Sequence, residues 1–146
     1  MSNSTNTGHI LLVEDTLSYQ ELMTIAFEEN QIEHQLHIVD DVESALKFIE
    51  RDPPYQWAPR PDLIFLDIHL PKMDGYELLV NVKNNLKFKT IPIIILTSSQ
   101  QQQDILKSYN LKANCYLHKP YQLSELINLV KISIHFWLNC SQLAQT

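Results

Sequence analysis

Three acidic residues follow directly on short runs of branched apolar residues. Glu14 and Asp15 come after Ile10–Val13, and Asp67 comes after Leu63–Leu66. Thr97 and Ser98 end a third run, Ile91–Leu96, while His118, Lys119 and Pro120 end a weaker one, Cys115–Leu117. Carboxylates crowded together repel and raise one another's pKa unless a cation intervenes. Oxygen ligands of this kind suit Mg²⁺, which keeps several waters and takes one or two carboxylates together with phosphate oxygens. A phosphoryl donor brings negative charge of its own. The metal and the Lys119 ammonium would neutralise it, while the Thr97 hydroxyl donates to a phosphoryl oxygen. The chemistry open to this set is phosphoryl transfer to an aspartate. Singly, each piece has a plainer use: an Asp after a strand serves a turn, Thr97-Ser98-Ser99 caps a helix, and a lone Lys is solvated. Only their meeting at one edge makes a site.

That meeting demands a particular fold, because the four segments lie far apart in the chain. Five short apolar runs, with a weaker one at Leu36–Val39 completing the set, read as strands covered on both faces. Helical spacing fills the gaps. Leu22, Met23, Ala26 and Phe27 share a stripe, as do Val42, Ala45, Leu46 and Ile49. Leu78, Leu79 and Val82 follow Asp74 and Glu77, a capping-box-like start. The alternation predicts an α/β fold, a five-stranded parallel doubly wound sheet of flavodoxin type with five helices, the last one extended. In such a sheet ligands bind beyond the carboxyl ends of the strands, where the acids emerge.

The chain has 146 residues and a formal net charge of −6, with 45% hydrophobic residues, which predicts one domain with one ordinary core. The acidic balance argues against nucleic acid, whose phosphates call for clustered Lys and Arg. No run approaches the ~20 apolar residues that span a bilayer. Residues 1–8 read as a flexible polar tail without the features of a signal peptide, 9–138 as the domain, and 139–146 as a C-terminal tail or helix extension. Two cysteines without a CxxC pair point to a cytoplasmic setting. Residues 52–61 carry prolines at 53, 54, 59 and 61 and form a surface loop, with Trp57 expected as a lid on the core in preference to a partner contact. Gln100–Gln103 is placed at the exposed start of the fourth helix, and His9, His34, His37 and His135 lack metal-ligand spacing.

Leu11-Leu12-Val13-Glu14-Asp15, Asp67-Ile68-His69-Leu70-Pro71-Lys72-Met73-Asp74-Gly75, Leu96-Thr97-Ser98 and Tyr116-Leu117-His118-Lys119-Pro120 stand in this order. Over nearly the whole chain the sequence resembles the response-regulator receiver domains of two-component signalling. The resemblance implies that Asp67 is the phosphoacceptor, attacking a phosphohistidine of a sensor histidine kinase. It implies Mg²⁺ bound by Asp15, Asp67 and the backbone carbonyl of His69, with Glu14 acting through water. Lys119 would contact the phosphoryl group and precede a cis bond to Pro120. Thr97 and Tyr116 would form the switch, Thr97 moving toward the phosphoryl group and Tyr116 swinging inward. Residues 108–116, the proline-bearing loop and His135–Leu138 resemble the small stand-alone regulators of cyanobacterial phytochromes, which implies a phytochrome-type kinase. Three departures stand out: Glu14 where many receivers carry Asp, His69 and Ser99 at positions that tune hydrolysis of the acyl phosphate, and Lys112 where many carry glycine.

The last helix is apolar on two sides. Leu123, Leu126, Ile127, Val130, Ile134, Trp137 and Leu138 face the sheet, while Leu129, Ile132, Phe136, Cys140 and Leu143 fall opposite. An apolar face left wet is unfavourable, so Leu129, Ile132 and Phe136 predict a homodimer interface. No effector segment follows Leu138, so the signal is expected to leave through a protein contact. Two rivals carry other expectations. A phosphorylation-independent scaffold on the same fold has no need of Glu14, Asp15, Asp67, Thr97 and Lys119. An aspartyl-phosphate hydrolase needs a second acid two residues past its nucleophile, where this chain has His69. The chain is thus read as a signalling module rather than an enzyme.

Overall fold

A computed structural model describes residues 8–70 and 74–144. The expected tail therefore lies outside the described residues except for Gly8, as do Pro71, Lys72 and Met73 of the quoted segment. Five strands alternate with five helices: β1 His9–Val13, α1 Leu17–Glu29, β2 Gln35–Val39, α2 Val42–Glu50, β3 Leu63–Leu66, α3 Gly75–Lys83, β4 Ile93–Thr97, α4 Gln102–Asn110, β5 Cys115–His118 and α5 Leu123–Ile134. All pairs are parallel, in the order β2-β1-β3-β4-β5. The order reverses between β1 and β3, which opens a crevice at their carboxyl ends.

Alternation along each strand builds two cores. Leu11, Val13, Ile64, Leu66, Ile93 and Ile95 face α2 and α3, while Ile10, Leu12, Leu63, Phe65, Ile94 and Leu96 face α1 and α5. Strands buried on both faces leave no room for polar residues until they end, so the first polar side chains emerge together at the rim. Two boundaries differ from the sequence pattern. β4 starts at Ile93 because Pro92 has no amide to give the ladder, though its carbonyl still accepts from Ile64. In α2, Phe48 is buried and Leu46 only partly so.

α4 is attached unlike the others. Ser108 is its only buried residue, and Leu106 and Tyr109 are exposed. A helix with so little apolar burial is held by polar contacts and opens at low energy. The turn after it reaches the left-handed region at Lys112, φ 78°, so the turn survives without the glycine usual there, at about 1 kcal/mol.

α5 continues into a π-helical stretch, His135–Cys140, closed by the Ser141 amide donating to the Phe136 carbonyl at 2.8 Å. The last helix is extended as expected, but its face is narrower. Ile132 and Phe136 are exposed, whereas Leu129 lies at the flank and packs against the α1–α5 core. Trp57 is corrected too. It is 63% exposed, its ring 6.4, 6.1 and 6.2 Å from those of His37, Phe48 and Tyr55, while Ala58 takes the buried place in its loop.

Candidate phosphoacceptor site

The carboxyl ends of β1, β3, β4 and β5 place four buried polar side chains in one pocket: Glu14 at 1% exposure, Asp67 at 7%, Thr97 at 0% and Lys119 at 4%. Lys119 Nζ lies 2.6 Å from Glu14 Oε1 and 2.9 Å from Asp67 Oδ2. It also sits over the Tyr19 ring, 4.5 Å from the centroid. Burial alone pulls the Lys119 pKa down, but the pairs with Glu14 and Asp67 pull harder, and the net shift is upward. The ammonium therefore stays charged where it touches both acids.

Each group is held from outside the pocket. The Asp67 amide donates to the Val13 carbonyl, and the Lys119 amide to the Thr97 carbonyl. The amides of Thr16 and His69 donate to Glu14 Oε2 and Asp67 Oδ1, both at 3.0 Å. Gly75, the first residue of α3, packs so closely that a Cβ on it would lie 2.6 Å from the Asp67 carbonyl oxygen and 2.7 Å from the Ile68 Cα. Asp74 caps that helix by accepting from the Tyr76 amide at 3.1 Å. The Tyr19 hydroxyl donates to the Pro120 carbonyl at 3.0 Å; burial above all, then Tyr121 and the carboxylates of Glu14 and Asp67, push its own pKa up. The expected cis bond is absent: Lys119–Pro120 is trans, the form X-Pro bonds generally favour.

Glu14, Asp15 and Asp67 each offer a carboxylate oxygen, and these lie within 4.8 Å of one another. Asp15 is exposed, so the cluster opens to solvent on its side. Three hard oxygen donors at a partly open rim match a divalent cation of the Mg²⁺ type rather than a softer metal. Even without a metal, Lys119 offsets part of the charge.

A second network extends from this pocket to α4, and only its ends were legible in the sequence. The Ser99 amide donates to Thr97 Oγ1 at 3.5 Å, and the Tyr116 hydroxyl to the Ser99 carbonyl at 2.9 Å. Tyr116 is thus already tied to the loop that leaves Thr97. At the centre is Asp104 on α4, which accepts from Ser99 Oγ at 2.5 Å and from the Tyr76 hydroxyl at 2.6 Å, with His69 Nε2 at 3.5 Å. These donors hold the Asp104 carboxyl below its ordinary pKa, Ser99 most strongly and Tyr76 next. Asp104 was missed because, in sequence, it is merely an acid in the first turn of a polar helix.

Residues 10–131 match the response regulator receiver domain model. The chain belongs to that family. Response regulator Rcp1 of Synechocystis sp. is 40% identical over 129 residues, covering 88% of each chain. Among solved structures, a phosphorylated cyanobacterial phytochrome response regulator, RcpA, is 37% identical with a TM-score of 0.88, covering 94% of this receiver and 99% of its own chain. The bacteriophytochrome response regulator RtBRR is 31% identical with a TM-score of 0.75, covering 95% and 82%. The receiver is therefore a phosphoacceptor signalling module of two-component type, related to phytochrome response regulators. The fold expected from the sequence is the fold found.

Proposed function

We propose that Asp67 accepts a phosphoryl group from the phosphohistidine of a phytochrome-type sensor kinase, in a Mg²⁺-dependent reaction, and that the receiver then signals through protein contacts in the cytoplasm. The observation that carries this reading is the meeting of Glu14, Asp15 and Asp67 with Lys119 at three strand ends. An Asp67 carboxylate oxygen attacks phosphorus. The new O–P bond forms as the N–P bond breaks, and the kinase imidazole leaves with the electron pair. Glu14, Asp15, Asp67 and the backbone carbonyl of His69 would hold the metal. Bound there, Mg²⁺ supplies positive charge to the phosphoryl oxygens. Lys119 neutralises a further oxygen, and Thr97 moves to donate its hydroxyl. Because Tyr116 already holds the Ser99 carbonyl, movement of Thr97 is passed to the α4–β5 surface. The kinase assignment is supported by the likeness of this chain to the phytochrome response regulator RcpA and the bacteriophytochrome response regulator RtBRR.

Acetyl phosphate with Mg²⁺ is expected to label one site, from which the label is slowly lost. Asp67→Asn should abolish labelling, and EDTA should prevent it. Label that survives the substitution assigns the acceptor elsewhere. The exposed pair Ile132 and Phe136, 59% and 54% accessible, supports a homodimer through α5. Sedimentation should show the wild type as a dimer and Phe136→Asp as a monomer.

A further inference from the structure

Thr97 ends β4 and Asp67 directly follows its neighbour β3, so the loops that leave the two strands start side by side at the pocket. His69 stands two residues along the first loop, and Ser99 two residues along the second. A single carboxylate oxygen of α4 reaches both, since Asp104 Oδ2 accepts from Ser99 Oγ at 2.5 Å and lies 3.5 Å from His69 Nε2. Its other oxygen takes the Tyr76 hydroxyl, which fixes the carboxylate from α3. Lys107, one turn further along α4, rests over the same Tyr76 ring at 4.2 Å. The His69 side chain is 56% exposed, so this tie, rather than packing, decides where the ring stands.

We propose that Asp104 is a positioning residue that draws His69 and Ser99 into a bar across the mouth of the phosphoacceptor pocket, and so sets how long a phosphoryl group on Asp67 survives. Hydrolysis requires water to reach phosphorus in line with the Asp67 O–P bond. It breaks that bond, returns the carboxylate and releases inorganic phosphate. A ring and a hydroxyl linked across the two loops narrow that path. Cutting the link frees both loops, because α4 has almost no apolar burial to hold it in place. The inference rests on Asp67 being the acceptor, and it extends that role to a residue in a different element.

The test labels the full chain with radioactive acetyl phosphate and Mg²⁺, removes the donor and follows loss of label. Asp104→Ala should lose label about threefold faster or more than wild type, with Asp104→Asn in between. The discriminating readout is coupling. In a chain already carrying His69→Ala and Ser99→Ala, Asp104→Ala should change the rate by less than about 1.5-fold, because nothing remains for it to position. A merely structural role would add its full effect to that background. An Asp104→Ala rate within about 1.5-fold of wild type, or additivity in the triple variant, overturns the proposal. Should Asp104→Ala not fold, Asp104→Asn is measured alone and in the double background against the same limits. A wild type that takes no label overturns the acceptor reading and this inference together, whereas a labelled wild type with an unchanged Asp104 variant overturns this inference alone.

Discussion

Two lysines, Lys119 buried and Lys83 half-buried, sit at opposite ends of the sheet, and their surroundings drive them in opposite directions. At the carboxyl end Lys119 faces two carboxylates, and its pKa rises although burial opposes it. At the amino end Lys83 donates to the carbonyls of Lys89 and Ile91 and to Asn114 Oδ1, at 3.2, 2.8 and 2.8 Å. Among the described residues no carboxylate pairs with it, and burial pulls its pKa to about 8. Lys83 links the end of α3 to the starts of β4 and β5 by dipoles, which suits a brace. Lys119 is matched by full charges that a metal or a phosphoryl group can redistribute, which suits a switch. The comparison teaches that function resides where burial is balanced by charge, because only that balance can be upset by a change of charge.

Removing the balancing cation should have the largest effect. Lys119→Met leaves Glu14 and Asp67 buried against each other, and unpairing a buried charge costs about 3–5 kcal/mol. Urea unfolding in EDTA should show that loss, and millimolar Mg²⁺ should restore part of it, because the metal supplies the missing positive charge. Equal losses with and without Mg²⁺ would mean that the acids do not share a cation site. Phosphorylation should be impaired even with Mg²⁺ present.

What the sequence disclosed follows the same division. Glu14, Asp15, Asp67, Thr97 and Lys119 were legible because each directly follows a run that must be buried on both faces, so the run's end announces its position. Asp104, Tyr76 and Tyr19 were not, since each lies within a helix and meets the site only through a neighbour distant in sequence. The π-helical turn past Ile134 was also hidden, because a spacing of 3.6 residues was extended through a segment that abandons it, and Leu129, within α5 itself, packs against the core from the edge of its stripe. Phe48 escaped because an aromatic beside an apolar stripe gives no sign of which way it turns.

The chain's only two glycines sharpen the contrast, one at each end. A Cβ on Gly75 meets the backbone of Asp67 and Ile68, which cannot give way without moving the acceptor. A Cβ on Gly8 meets the His34 ring at 2.6 Å and Asp62 Oδ2 at 3.1 Å, the ends of side chains that can swing aside. Gly75→Ala should therefore cost about 2–3 kcal/mol and slow phosphoryl uptake, by analogy with overpacked cores. Gly8→Ala should cost less than about 1 kcal/mol and leave uptake unchanged. Thermal unfolding beside acetyl phosphate labelling separates the two. Similar losses of uptake would refute the idea that only one end carries the chemistry.

The smallest effect belongs to Lys83 and has a definite sign. Folding lowers its pKa from 10.5 to about 8, so between those values the unfolded chain holds a proton that the folded chain has released. Stability from this group therefore rises with pH across that window. Lys119 behaves oppositely: its raised pKa means that its contribution is complete below 10.5 and is lost only above it. At pH 7.5 Lys83→Met should change stability by less than about 1 kcal/mol, because three hydrogen bonds are lost while a charge no longer has to be desolvated. Denaturant unfolding at pH 7.5 and 9.5 should show wild type gaining on the variant at the higher pH. Wild type losing ground instead would mean that the carbonyl dipoles hold the proton as firmly as carboxylates do, and the distinction between brace and switch would fail at its simplest point.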